Sequence, residues 1–153
     1  MKLIDWDIDG IADKLVTLNP DSMPLWGKMN AGQMLKHLID IAQISNEKRH
    51  VAFANKDENL PKLRHILYKE VPFPQSFPAP PEVESFMGET TDLPIDVLKE
   101  QLILELKDFE SSFNDENKTV VNAVFGPLNM ADWMWFHRKH ISHHLAQFGL
   151  WEY

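Results

Sequence analysis

Prolines crowd into the middle of this chain, and their positions limit the folds available to it. Five of the ten prolines in the 153-residue sequence lie between positions 72 and 81. Proline lacks the backbone N–H that a helix needs, and it disfavours helical geometry in the residue before it. This stretch is therefore predicted to be a loop or an extended crossover between two helical parts of the chain.

On both sides of the proline-rich stretch, apolar residues recur at intervals of three and four, which is typical of amphipathic helices. The predicted helices run from about Ile8 to Leu18, from Asn30 to about Asn46, from Leu60 to Tyr68, from Asp92 to about Phe113, and from Asn129 to Gly149. No segment shows a convincing two-residue alternation. We therefore expect an all-α fold, a four-helix bundle in which residues 1–153 form one domain.

The ends of three helices carry recognisable capping residues. Asn30 and Asn129 are good N-caps, and Gln33 and Asp132 stand three positions further on, the spacing of a capping box. Asp92 is predicted to cap the helix that follows the proline-rich stretch.

Composition excludes several classes of protein. The chain has no cysteine, which removes disulfides, thiolate metal ligands and a cysteine nucleophile. Its net charge of −8 and the lack of any run of Lys and Arg argue against nucleic acid and anionic membranes as partners. No stretch approaches the roughly 20 apolar residues of a membrane span, and the acidic N-terminus is unlike a signal peptide. A cytoplasmic protein is predicted.

Four of the seven histidines lie in one segment of the last predicted helix: His137, His140, His143 and His144. At about 100° per residue, His140 and His144 differ by only about 40° and lie one turn apart, so their rings can converge on one ion. His137 is one turn back on the same side. His143 is turned about 60° the other way from His140, which makes it a weaker candidate ligand.

The inward side of this helix can be located from its other residues. Aromatic side chains share the face of the His140–His144 pair, at Trp133, Phe136 and Phe148. The opposite face carries Arg138, Lys139 and Ser142. The pair is therefore predicted to point inward, where an imidazole without a partner is costly.

A third inward histidine stands on a different helix. His37 lies between Met34 and Ile41 on the apolar face of the second helix. His37, His140 and His144 together would supply three nitrogen ligands and leave positions open for water or substrate, as in catalytic metal sites. Neutral imidazoles suit zinc or nickel, and also iron or cobalt. The alternatives are that His37 is a hydrogen-bonded core residue and that the His-rich helix is a solvated face.

Three neighbouring polar residues could orient a ligand imidazole. Asp40 is interpreted as a solvated flank and Gln33 as a capping residue, while Gln147 is equally consistent with holding His144 and with ordinary helix-end polarity. His50 and His65 lie off these faces and are predicted to be exposed.

Two blocks of sequence resemble a known family. The blocks consist of Leu18–Ser22, Pro24–Met29 and Gln33–Leu38 at one end, and of Phe125–Leu128, Trp133 and His140–Gly149 at the other. They resemble the DinB/YfiT-like superfamily of metalloenzymes, and within it a branch marked by Trp-Gly-Lys-Met and His-His-x-x-Gln-Phe-Gly. The resemblance covers both ends of the chain and little of its middle.

This resemblance implies a four-helix bundle with a divalent metal on His37, His140 and His144. Relatives are often homodimers; some branches transfer or isomerise groups with a low-molecular-weight thiol, and others are grouped with hydrolases. The chain departs from the pattern at Asn122-Ala123, where a His-Pro-type pair is expected before Phe-Gly.

Three functions follow as hypotheses. The first is a metal-dependent enzyme acting on a small molecule, of hydrolase or thiol-dependent transferase or isomerase type. The second is a non-catalytic metal-binding or sensing bundle, and the third is an interaction domain with structural histidines. No Gly-x-Ser-x-Gly, phosphate loop or dinucleotide fingerprint is present, so catalysis would depend on the metal.

Overall fold

The computed structural model describes residues 2–75, 77–87 and 89–152, without the side chains of residues 85–87. It is mostly helical, with 51% of the chain in helices. The described elements are α1 (Ile8–Leu15), α2 (Ala31–Ser45), a 3₁₀ turn (Asp57–Asn59), α3 (Leu60–Tyr68), α4 (Pro81–Met87), α5 (Ile95–Ser112), β1 (Val120–Asn122), β2 (Gly126–Leu128) and α6 (Met130–Gln147). None of the described helices is both long and apolar enough to cross a membrane.

Two apolar clusters meet along α2 and α6. One joins α1, α2, α5 and the C-terminal half of α6, with Leu35 and Leu102 almost fully buried in it. The other joins the end of α2, the hairpin and the start of α6, around Trp133 and Phe125. Fully burying side chains of this size stabilises the fold by roughly 1.5–3 kcal/mol each. The junction of the clusters falls near the middle of α2 and of α6.

Both helices that bear the predicted ligands begin with the expected capping box. Asn30 Oδ1 accepts a hydrogen bond from the Gln33 N–H (2.8 Å), and Gln33 Oε1 accepts one from the Asn30 N–H (2.9 Å). Asn129 and Asp132 make the same reciprocal pair at the start of α6. These pairs satisfy N–H groups that a helix start leaves unbonded, and they fix where each helix begins.

The end of α6 is fixed as well. Gly149 has φ +68°, a left-handed conformation that suits glycine. The Gly149 N–H donates to the Ala146 carbonyl (3.0 Å) and the Leu150 N–H to the Leu145 carbonyl (2.8 Å). This Schellman motif ends the helix one turn after His144.

Several predicted boundaries are wrong. α1 ends at Leu15, although Leu18 is still buried beyond it. α5 begins after Pro94, which occupies the N-cap position, so Asp92 does not cap it. The described residues of the proline-rich stretch are not helical up to Pro80, but Pro81 begins α4, because the first helical turn does not require the N–H that proline lacks.

The hairpin of β1 and β2 was not expected from the sequence. The strands are antiparallel and pair Val120 with Leu128 and Asn122 with Gly126. Strands of three residues are too short to show an alternating pattern. Asn122 Oδ1 accepts hydrogen bonds from the Val124 and Phe125 N–H groups, so this side chain holds the turn together.

The face of α6 opposite the aromatic residues is also buried. Lys139 is only 1% exposed and Ser142 is fully buried. Lys139 Nζ donates to the carbonyls of Ile66 (2.9 Å) and Lys69 (2.8 Å), and Ser142 Oγ accepts from the Ile4 N–H (2.8 Å). The end of α3 and the N-terminal segment therefore cover a face that looks polar in the sequence.

Replacing Lys139 by Met should lower the free energy of unfolding by about 1–3 kcal/mol, because the carbonyls of Ile66 and Lys69 lose their donor. Urea unfolding measures the change. Lys107→Met on the exposed side of α5 is the control and should stay within about 0.5 kcal/mol of the native protein. A Lys139→Met protein as stable as the native one would show that these hydrogen bonds contribute little.

Candidate metal centre

The three predicted ligand residues converge. His37 Nε2 lies 2.9 Å from His140 Nε2, and His144 Nε2 lies 3.1 Å from the same atom. One ligand atom from each residue lies within 4.8 Å of the others, and all three side chains are buried. The predicted convergence of His37 with the α6 pair is confirmed, and the α6 pair points inward as its helical spacing indicated.

Gln147 fixes which nitrogen of His144 is free. The Gln147 amide Nε2 donates to the Trp26 carbonyl (3.0 Å), so its Oε1 faces His144 Nδ1 at 2.9 Å. An amide oxygen can only accept, so Nδ1 of His144 carries the hydrogen. When the ring is neutral, Nε2 presents its lone pair to the centre. Of the two interpretations of Gln147, the orienting one is confirmed.

The loop before α2 holds Gln147 in place. The Leu25 N–H donates to the Gln147 carbonyl (2.7 Å), and Gly27 lies beside the Gln147 side chain with φ +82°. A Cβ on Gly27 would stand 2.5 Å from Gln147 Nε2. Gly27 is therefore part of the site, because it leaves room for the Gln147 side chain. In the sequence, its position between Trp26 and Lys28 in a loop is only a weak indication of this role.

Burial keeps the three imidazoles neutral. It lowers the pKa of His37 to about 4, and it holds the pKa values of His140 and His144 well below the ordinary 6.5. The neighbouring imidazoles lower these values further, because a second positive charge nearby is unfavourable. At neutral pH the centre is a set of uncharged nitrogen ligands.

Hydrogen bonding among the neutral rings cannot satisfy this arrangement. His140 Nε2 faces two nitrogens, and a proton on it can serve only one of those contacts well. Without that proton, the lone pair of His140 Nε2 faces the lone pair of His144 Nε2 at 3.1 Å. The Nδ1 atoms of His37 and His140 have no hydrogen-bond partner among the described residues. A cation at the centre would accept lone pairs from all three Nε2 atoms.

The other two histidines of the α6 segment have separate surroundings. His137 leaves the cluster: its Nε2 lies 2.9 Å from Ser45 Oγ, and its ring stacks on Trp133. Because the Ser45 hydroxyl donates to the Ala42 carbonyl, His137 is the donor to Ser45. His137 is buried on the inward side of α6, but it packs against Ser45 of α2 and Phe109 of α5 and does not join the cluster.

His143 stands beside the cluster without joining it. Its ring centroid is 5.0 Å from that of His144 and 6.0 Å from that of Trp26. Nδ1 of His143 has no hydrogen-bond partner in the described part of the chain, while a backbone hydrogen bond with Phe73 engages the ring. Burial lowers its pKa. His143 thus borders the site as a neutral polar group.

For the other polar residues considered in the sequence, some predicted roles are confirmed and one is wrong. Gln33 is a capping residue, and His50 and His65 are exposed, as expected. The interpretation of Asp40 as a solvated flank is wrong, because it is 1% exposed and pairs with Lys36 (2.6 Å) and Arg49 (3.2 Å). Burial raises its pKa against the opposing effect of these cations.

A cavity of about 280 Å³ opens onto the centre. Its lining includes all three clustered histidines together with His143 and Gln147. Most of the other walls are apolar side chains from α2, α4, α6, the hairpin and the proline-rich stretch, namely Ile41, Ile44, Phe73, Phe77, Val83, Phe125, Trp133 and Phe136. Trp133 lines the cavity, whereas Trp26 reaches the site through its carbonyl.

Comparisons of this chain with protein-family models, with curated proteins and with solved structures found no match.

His137 should make stability depend on pH. Burial lowers its pKa to about 3, whereas an unfolded histidine titrates near 6.5. Between these values only the unfolded chain binds the proton, so stability is complete above about pH 6.5 and falls with pH by up to about 1.4 kcal/mol per unit. His137→Phe should reduce this slope in urea unfolding from pH 6 to 4.5 with chelator present.

The matched control is His65→Phe, which changes an exposed residue of α3 and should leave the slope unaltered. If the free energy of unfolding changes with pH by the same amount in the native protein and in His137→Phe, His137 is not a buried neutral donor.

Proposed function

We propose that this protein is a metal-dependent enzyme in which His37, His140 and His144 bind one divalent ion. The observation that carries the proposal is the convergence of three Nε2 atoms that hydrogen bonds alone cannot satisfy. Zinc or nickel suits three neutral imidazoles, with iron or cobalt as alternatives.

The residues present fit such an ion. Two nitrogens bound tetrahedrally to zinc stand about 3.3–3.4 Å apart, given zinc–nitrogen bonds of roughly 2.0–2.1 Å. The observed separations of 2.9 and 3.1 Å from His140 Nε2 need only small outward rotations of the rings. Gln147 supplies the outer hydrogen bond that orients a ligand histidine and fixes its tautomer.

The arrangement of helices supports a relation to the DinB/YfiT-like superfamily. α1, α2, α5 and α6 share one apolar cluster, as the four helices of a bundle would. The ligands sit on α2 and α6, where the resemblance places them. We therefore propose a four-helix bundle of this superfamily, with α3, α4 and the hairpin packed beside it.

A bound divalent ion would supply Lewis acidity, lowering the pKa of a bound water or polarising a carbonyl or thiol. The chain's own residues prepare the site for this chemistry. Gln147 holds His144 so that its Nε2 faces inward. Most of the cavity walls are apolar, which would strengthen electrostatic interactions inside it. His143 lines the same cavity beside the cluster.

Among the three functions, the cavity favours an enzyme. A non-catalytic site would be closed by protein ligands, whereas here all three histidines line a space that a small molecule could enter. We propose one of two reaction types. One is hydrolysis, and the other is a transfer or isomerisation that uses a low-molecular-weight thiol. A homodimer is the proposed assembly.

Protein purified without a His-tag or chelating resin, then dialysed against zinc, should hold about one ion per chain by elemental analysis. His144→Ala should abolish this binding, because it removes one of three ligands. His143→Ala, its neighbour on the helix, should reduce it far less. A native chain that takes up neither zinc nor nickel would refute the proposal, and equal losses in the two variants would refute the ligand assignment.

Gly27→Ala should weaken zinc binding about 10–100-fold, the usual effect of losing an outer hydrogen bond to a ligand. The new methyl group would meet Gln147 Nε2 and displace the amide from His144. Gly32→Ala on α2 is the control, since a Cβ there makes only ordinary contacts. Competition with a chelating dye measures both affinities. If Gly27→Ala binds zinc as the native protein does, Gln147 is not the group that orients His144.

A further inference from the structure

The cavity over the histidine cluster lacks negative charge. None of its described lining residues is Asp or Glu. Lys28, at the exposed rim, is the one lining residue there with a formal charge at neutral pH, and it is positive. A divalent ion on three neutral imidazoles would keep both of its positive charges. A charge in surroundings of low polarity is costly unless an opposite charge accompanies it.

The nearby carboxylates do not supply this charge. Asp40 follows His37 by one helical turn but is held by Lys36 and Arg49. Asp132, near the start of α6, is held by Arg64 and by the Tyr68 hydroxyl. Both carboxylates already have cationic partners. Glu82 of α4, whose Oε2 is buried without a partner among the described residues, is not among the residues that line the cavity. The compensating anion is therefore expected to come from the ligand.

The walls determine what kind of anion fits. Phe73, Val83, Phe125 and Phe136 give the cavity aromatic and branched aliphatic surfaces. Inorganic phosphate or sulfate would lose its hydration there without receiving enough hydrogen bonds in exchange. A volume of about 280 Å³ suits a small molecule with one ring or a short branched chain.

Resting on the metal site proposed above, we propose that the cavity binds a small monocarboxylate with an aromatic or branched aliphatic body. The carboxylate lies at the histidine cluster and the body contacts Phe73, Val83 and Phe136. A carboxylate is fully charged at neutral pH, whereas an ordinary thiol is mostly protonated, so Lys28 at the rim attracts the carboxylate more strongly from solution.

The first test uses the full chain loaded with zinc, in calorimetric titrations at pH 7. The probes are 3-phenylpropionate, its neutral isostere 3-phenylpropanamide, and acetate, which has the head group without the apolar body. The account predicts that 3-phenylpropionate binds at least tenfold more tightly than either of the others. Equal binding of acid and amide, or of acid and acetate, would overturn the proposal. Tighter binding of 2-phenylethanethiol would overturn the choice of carboxylate.

A second test locates the ligand. Val83→Trp narrows the cavity from α4 and keeps all three ligand histidines, so it should weaken 3-phenylpropionate binding at least tenfold while zinc binding is unchanged. Val97→Trp, at an exposed position on α5, is the matched control. Retained affinity in Val83→Trp would overturn the assignment to this cavity. Lys28→Gln should weaken binding a few-fold, and Lys107→Gln should not; equal effects would overturn the role given to Lys28.

Zinc titration of the native chain separates the two proposals. A chain that binds zinc but does not discriminate among the probes contradicts only the ligand class. A chain that binds no zinc contradicts both the metal site and the ligand class that depends on it.

Discussion

Three uncharged imidazoles packed against one another inside an apolar core are the feature on which the rest of this site depends. Each ring is buried, and burial lowers its pKa, so the centre cannot relieve its crowded lone pairs by taking up protons at neutral pH. Because the rings belong to α2 and α6, two helices that are far apart in sequence meet there. The capping boxes of both helices and the Schellman motif after Gln147 fix the lengths of the elements that bring the rings together.

The neighbourhood keeps charge away from this centre. Asp40 and Asp132 are buried, but each is held by cations of its own. Lys139, which directly precedes His140, donates to carbonyls at the end of α3 and does not point toward the cavity. Apart from Lys28 at the exposed rim, these charged groups lie away from the cavity, which leaves the space over the histidines with apolar walls and a few neutral polar atoms.

Local signals in the sequence predicted much of this arrangement. The capping residues of α2 and α6 and the limits of α3 are where the spacing placed them, because these depend on neighbouring residues alone. The convergence of His37 with His140 and His144 could also be predicted, since it needed only the two inward faces. The burial of Lys139 could not, because it depends on where α3 and the N-terminal segment pack. The hairpin of β1 and β2 is too short to leave a pattern, and the role of Gly27 depends on contact with a residue 120 positions later.

The most direct test of the central claim is anomalous diffraction from crystals of the zinc-loaded protein, collected on both sides of the zinc absorption edge. The account predicts one strong peak per chain, bonded to Nε2 of His37, His140 and His144 at about 2.0–2.1 Å. A peak at an exposed histidine such as His50 or His65, with none among the three buried rings, would contradict it.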